Sequence, residues 1–218
     1  MSRRQRGMAR RAARSGSGPI PLEAAPPRWP GAANTFSLVG AVITTGLLVT
    51  AGSVAVISFP SALATGIRHL RRGLKGDVAP MGRFWRELLA ALPGGLLVGA
   101  AGLAAALLLL LNISFASSGA LPGGGTVAAA SWVALAGVVL LIVSMAGRWT
   151  PGPGWRRTLR PTAAELSSDP VGALFILAAA AFAVLVARQF FPLIIPALGC
   201  VALAVVAAPE RRRAAADA

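Results

Sequence analysis

Arg68, Arg71, Arg72 and Lys75 recur at i, i+3, i+4 and i+7, so a helix carries all four along one side. Trp85 follows ten residues after Lys75. Cations in a stripe, with an indole nearby, suit one kind of chemistry: holding anionic groups, whether lipid phosphates or the acidic side chains of a partner. Catalysis is a poor match. The chain's single histidine, His69, adjoins Arg68, Arg71 and Arg72, whose charges favour its neutral form. It reads as an ordinary surface histidine. The nearest acids, Asp77 and Glu87, have no metal-ligand spacing, and no phosphate-binding loop, HExxH or GxSxG occurs. The expectation is no catalytic residue, no metal and no cofactor. Arg68, Arg71, Arg72, Lys75 and Trp85 remain as candidate contacts for lipid or for a partner.

The elements that must position these residues are those of a membrane protein. Of 218 residues, 56% are hydrophobic and 13% charged, against roughly 25% charged in a soluble domain. Mean hydropathy is +0.70. So little charge cannot clothe a water-facing surface, which makes the bilayer the natural solvent. The net charge of +14 lies almost wholly outside the apolar runs. Basic loops on such a chain point to anionic headgroups and to topology control rather than to nucleic acid. Cys200, the single cysteine, allows no intrachain disulfide and reads as a small buried hydrophobe.

Taken in order, residues 1–34 form an Arg-rich tail without apolar periodicity. A first span covers 35–59, without a charge, and Phe59-Pro60 ends it. Ser61 to Lys75 reads as an interfacial amphipathic helix, with Leu63, Ile67, Leu70 and Leu74 beside the basic stripe. Gly76-Asp77 makes a turn. A second amphipathic segment begins near Gly82. Phe84, Trp85, Leu88, Leu89 and Leu92 take one side of it, and Arg83, Arg86 and Glu87 the other. It runs through Pro93-Gly94-Gly95 into a second span at 94–113. Further spans fall at 127–146, 171–187 and 192–208, before a polar tail at 210–218. The loop 147–170 carries Arg148, Arg156, Arg157 and Arg160. Within it, Thr162 and Glu165 have capping-box spacing, and Asp169-Pro170 reads as the start of the next helix. The fold class is therefore all-α: a polytopic membrane domain over 35–209 with about five transmembrane helices, plus basic amphipathic interfacial helices between the first two.

These spans contain no Asp, Glu, Lys, Arg or His as drawn, which argues against a proton-coupled transporter acting alone. Asn112 could hydrogen-bond a neighbouring helix, and Gly95-x-x-x-Gly99 with Ala91 forms a small-residue face that could serve self-association. Five spans place the termini on opposite sides of the cell membrane. With the N-terminus outside, thirteen basic residues near span ends face the cytoplasm and two face out. Counting the whole tail raises the outside number to eight. The balance favours the N-terminus outside and the C-terminus in the cytoplasm. The alternative is a first segment that re-enters, which keeps the tail arginines on the basic side.

The order Pro60, Ser61-Ala62, Arg68/Arg71/Arg72, Gly76-Asp77 and Phe84-Trp85 resembles the YesL family of bacterial integral membrane proteins. The resemblance covers residues 36–99; later spans match only in length and hydropathy, and the long Arg-rich tail departs from it. The family is a domain of unknown function and supplies no catalytic residue to carry over. The resemblance implies a non-enzymatic accessory or partner component linked to carbohydrate uptake. Two other readings fit the residues: an oligomeric channel or transporter subunit, and a structural or lipid-interacting envelope protein. The implied partners are a bilayer with anionic headgroups, and other membrane proteins or further copies of the chain.

Overall fold

The computed structural model describes residues 35–77, 80–118 and 122–216, so the tail at 1–34 lies outside the described residues. Among the described residues seven α-helices follow one another: α1 (Thr35–Gly52), α2 (Phe59–Lys75), α3 (Met81–Ser117), α4 (Gly124–Arg148), α5 (Leu159–Ser168), α6 (Pro170–Gln189) and α7 (Ile194–Ala216). Short 3-10 turns at Val56–Ser58 and Phe191–Leu193 join α1 to α2 and α6 to α7. Among the described residues there is no strand. α1, α3, α4, α6 and α7 are each long and apolar enough to cross a bilayer. The chain is an all-α, multi-pass membrane protein by these criteria.

The first apolar run does not stay one helix. The sequence predicts a span over 35–59, but α1 stops at Gly52. The Ser58 hydroxyl donates to the carbonyls of Gly52 at 2.8 Å and Ala55 at 2.6 Å, satisfying groups that a helix end leaves open. Pro60 then sits in the first turn of α2 instead of closing α1. Proline ends helices reached from the N-terminal side and starts helices on the other. Pro60 does the second.

α2 folds back antiparallel on α1, with Gly52 against Ala62 and Gly66 against Val49. Its first half is built from Ser61, Ala62, Ala64, Thr65 and Gly66, all buried, and small residues let helices approach closely. The Thr65 hydroxyl donates back to Ser61 and Ala62 carbonyls, both at 3.0 Å, so its polarity is met within the helix. Leu63, Ile67, Leu70 and Leu74 are also fully buried. The amphipathic pattern is thus present, but the apolar side rests on α1, α3, α4 and α7 and not on a lipid interface. Periodicity reports that a face is covered; it does not report by what. Gly76, left-handed at φ 80°, ends α2 where the sequence places a turn.

α1 also runs antiparallel to α7, with Gly46 against Ile195 and Gly199 against Val42. α3 joins the second amphipathic segment and the second span into one 37-residue helix, about 55 Å long at 1.5 Å per residue. Phe84, Leu88, Ala91, Gly95 and Gly99 form its buried stripe, while Trp85 and Leu89 point outward. The small-residue face is consumed within the chain: Gly95 meets Ser61 and Gly99 meets the Ile57 carbonyl. The α1–α2 hairpin therefore touches α3 partway along. Ser117 lies about 27 Å further on from Gly99. Beyond that contact α3 packs on α4, with Gly102 against Ile142 and Asn112 Nδ2 donating to Ser131 Oγ at 3.1 Å.

Two further expectations are corrected. Thr162 caps nothing: it is buried inside α5, where its hydroxyl donates to Thr158 at 2.6 Å. α5 begins earlier than the capping-box spacing places it, at Leu159. Cys200 is exposed, because Ala197, Leu198, Val201, Ala202 and Val205 take the inward side of α7. Asp169 does cap α6, accepting from the Gly172 amide at 2.9 Å, with Pro170 in the first turn.

Candidate functional site at the basic end

The ion pairs collect at one end of the bundle. α2 ends there, α3 starts there, α4 arrives at Arg148, α6 leaves from Asp169 and α7 arrives at Arg211. α1 is antiparallel to both α2 and α7, so its first residue belongs to the same end.

The predicted stripe is split here. Arg68 Nε lies 3.1 Å from Glu87 Oε2, and the Arg72 guanidinium pairs with Oε1 of the same carboxylate. Arg83 adds a third contact at 3.3 Å from the half-exposed side. The Glu87 side chain keeps only 11% of its exposure, so one acid on α3 clasps two arginines of α2 in a largely dry setting. Arg68 also stacks over the Trp149 ring, 5.9 Å from its centroid. Trp149 in turn lies beside Trp155, whose Nε1 donates to the Ala91 carbonyl at 2.9 Å. These contacts pin α2, α3 and the α4–α5 connection together. Successive residues on a helix are 100° apart. Arg72 therefore turns towards α3 while Arg71 turns the other way. Lys75 and Trp85 are both exposed, with Trp85 edge-on to Phe84 at 5.3 Å between centroids. His69 is half-buried, edge-on to Phe84 at 6.4 Å. Burial and then Arg72 lower its pKa, against an upward pull from Glu87.

Arg71 faces a cleft of about 690 Å³ among α2, α4, α5, α6 and α7. Ser144, Arg148, Thr162, Glu165, Asp169, Ile176 and Val205 contribute to its walls. Its other charges are already coupled: Arg148 pairs with Glu165, and Arg211 lies 3.1 Å from Asp169 and over the Phe175 ring. Among the described residues Arg71 has neither an ion pair nor a hydrogen bond. Burial, then Arg68, lower its pKa, with Glu165 and Glu210 opposing and Arg148 adding to the fall. A guanidinium remains protonated regardless.

Sequence reasoning missed Glu87 as the hub, although it is the one acid lying i+4 from Arg83 beside the α2 arginines. It also missed the cleft, whose walls come from five helices far apart in the chain. The arrangement can bind anions. Among the described residues no three His, Cys, Asp or Glu side chains gather to share a metal ion. Fold and site together define a multi-pass helical membrane protein with a basic end. Comparison of the chain with protein-family models, with curated proteins and with solved structures returns no match.

Proposed function

We propose that the chain is an accessory component of the cell membrane that docks a partner of anionic character at its basic end. One observation carries this reading: after the internal pairing, Lys75, Arg86, Arg156, Arg157 and Arg160 are exposed and have no ion pair among the described residues. Unneutralised cations beside transmembrane helices favour the cytoplasmic side and attract anionic surfaces. On this reading the basic end is cytoplasmic, and α1–α2 is a re-entrant hairpin with both chain ends on that side. A non-enzymatic role fits a surface built from arginine, tryptophan and leucine. The link to carbohydrate uptake rests on the resemblance of residues 36–99 alone. Self-association through Gly95 and Gly99 is disfavoured, because the chain's own residues 57–61 fill that face.

Replacing Arg156, Arg157 and Arg160 together by Gln tests the reading. These side chains are exposed and make no internal ion pair, so membrane insertion and thermal stability should hold. A membrane partner recovered with the wild-type protein by cross-linking in native membranes should be lost. Solute movement by the protein reconstituted alone would contradict an accessory role.

A further inference from the structure

We propose that the cleft beside Arg71 is a binding site for the phosphate group of an anionic phospholipid. The cleft joins two kinds of wall. Its lining includes the Arg71 guanidinium and the Ser144 hydroxyl; Ser144 is more than nine-tenths buried and has no hydrogen-bond partner. The lining also includes apolar side chains of α6 and α7: Ala173, Ile176, Val205 and Ala208. A half-buried cation and a buried hydroxyl, neither with a hydrogen-bond partner among the described residues, are complementary to the oxygens of a phosphate group.

Arg71 reaches the cleft without an ion pair or a hydrogen bond among the described residues. Arg148 and Arg211 are each held by an acid, Glu165 and Asp169, while Glu165 and Glu210 reach Arg71 through longer-range electrostatics. A dianion beside these carboxylates would be repelled more strongly than a phosphodiester, whose single charge suits the Arg71 guanidinium. The volume of about 690 Å³ falls within the range of roughly 300–1,000 Å³ for small-ligand sites. It accommodates a headgroup with the start of its acyl chains. The apolar wall belongs to membrane-spanning helices, which is where acyl chains are found. A soluble phosphate would leave that wall wet. Basic recesses between transmembrane helices are a recognised setting for lipid headgroups. The inference goes beyond partner docking, because the cleft and the exposed arginines of 156–160 are different surfaces.

The test uses the full-length protein in nanodiscs and in detergent, with native mass spectrometry counting retained lipid. Phosphatidylglycerol should be retained in preference to phosphatidylcholine. Arg71→Gln should lower that retention about tenfold, since one charge-assisted contact is lost. Arg71→Lys should restore part of it. Ala173→Leu, which fills the cleft and leaves every charge in place, should lower it too. Lys75→Gln, exposed on the same helix, should not. Equal retention of the two lipids, or retention unchanged in both Arg71→Gln and Ala173→Leu, overturns the proposal. Displacement of the lipid by millimolar inorganic phosphate overturns the lipid assignment in favour of a soluble phosphate.

Discussion

Glu87→Ala is expected to cost about 3 kcal/mol, at the lower edge of what breaking a buried ion pair costs, because the clasp is partly open to solvent on the Arg83 side. The wild-type carboxylate accepts from Arg68 and from Arg72, whose side chains retain 22% and 14% of their exposure. Without it, two guanidinium groups face one another in a setting too dry to hydrate them well. Their repulsion adds to the lost hydrogen bonds. For a chain of this length the loss corresponds to a fall in Tm of about 10 °C, read from thermal unfolding of the purified protein in one fixed detergent. Arg83→Ala provides the contrast. It removes the outer, half-exposed contact, an i,i+4 pair worth about 0.3–0.5 kcal/mol, so its Tm should barely move. If Glu87→Ala unfolds with the wild type, the clasp does not hold α2 to α3.

Gly99→Ala should be the more damaging single methyl. A Cβ at Gly99 would fall on the Ile57 carbonyl, which is backbone and cannot swing away as the end of a long side chain could. The whole tip of the α1–α2 hairpin has to retreat from α3. Overpacking commonly costs about 1–3 kcal/mol, and a clash with backbone belongs at or above the top of that range. Gly137→Ala is the matched control. It sits on α4 with nothing within 4 Å of an added Cβ, so it should gain up to about 1 kcal/mol from helix propensity. The two substitutions are the same chemically and should shift Tm in opposite directions. A Gly99→Ala protein as stable as the wild type would mean that the hairpin does not seat against α3 there.

How much of this was legible in the sequence depends on what each signal encodes. The apolar runs of α3, α4, α6 and α7 announced themselves, because a charge-free stretch of that length has few other uses. Asp169-Pro170 was equally readable, since an N-cap followed by proline has one local meaning. The hairpin was not. Thr35 to Phe59 contains no charge to mark its break, and the break is made by one hydroxyl, that of Ser58, turning back on Gly52. α2 showed an apolar face, but Leu63, Ile67 and Leu70 look the same whether lipid or protein covers them. The small residues Ser61, Ala62, Ala64 and Gly66 were the available sign that helices would cover them. In a chain so rich in alanine and glycine that sign is faint. The basic stripe was found, and its division was not. Arg72 finds its acid on α3 and Arg71 finds a cleft walled by α4 to α7, partners that only the folded bundle brings close.

The arrangement of the first two helices bears most on the whole account, because it decides on which side of the membrane the chain begins. The direct measurement is a set of side-specific reporters in living cells: one fused ahead of Thr35, one after the C-terminus, and one inserted between α3 and α4. A re-entrant hairpin predicts that the first two report the cytoplasm and the third the outer side, in keeping with the gathering of Arg68, Arg148 and Arg211 at one end. An outer signal from the N-terminal reporter, with the C-terminal one still cytoplasmic, would mean that α1 crosses the membrane alone, and would contradict it.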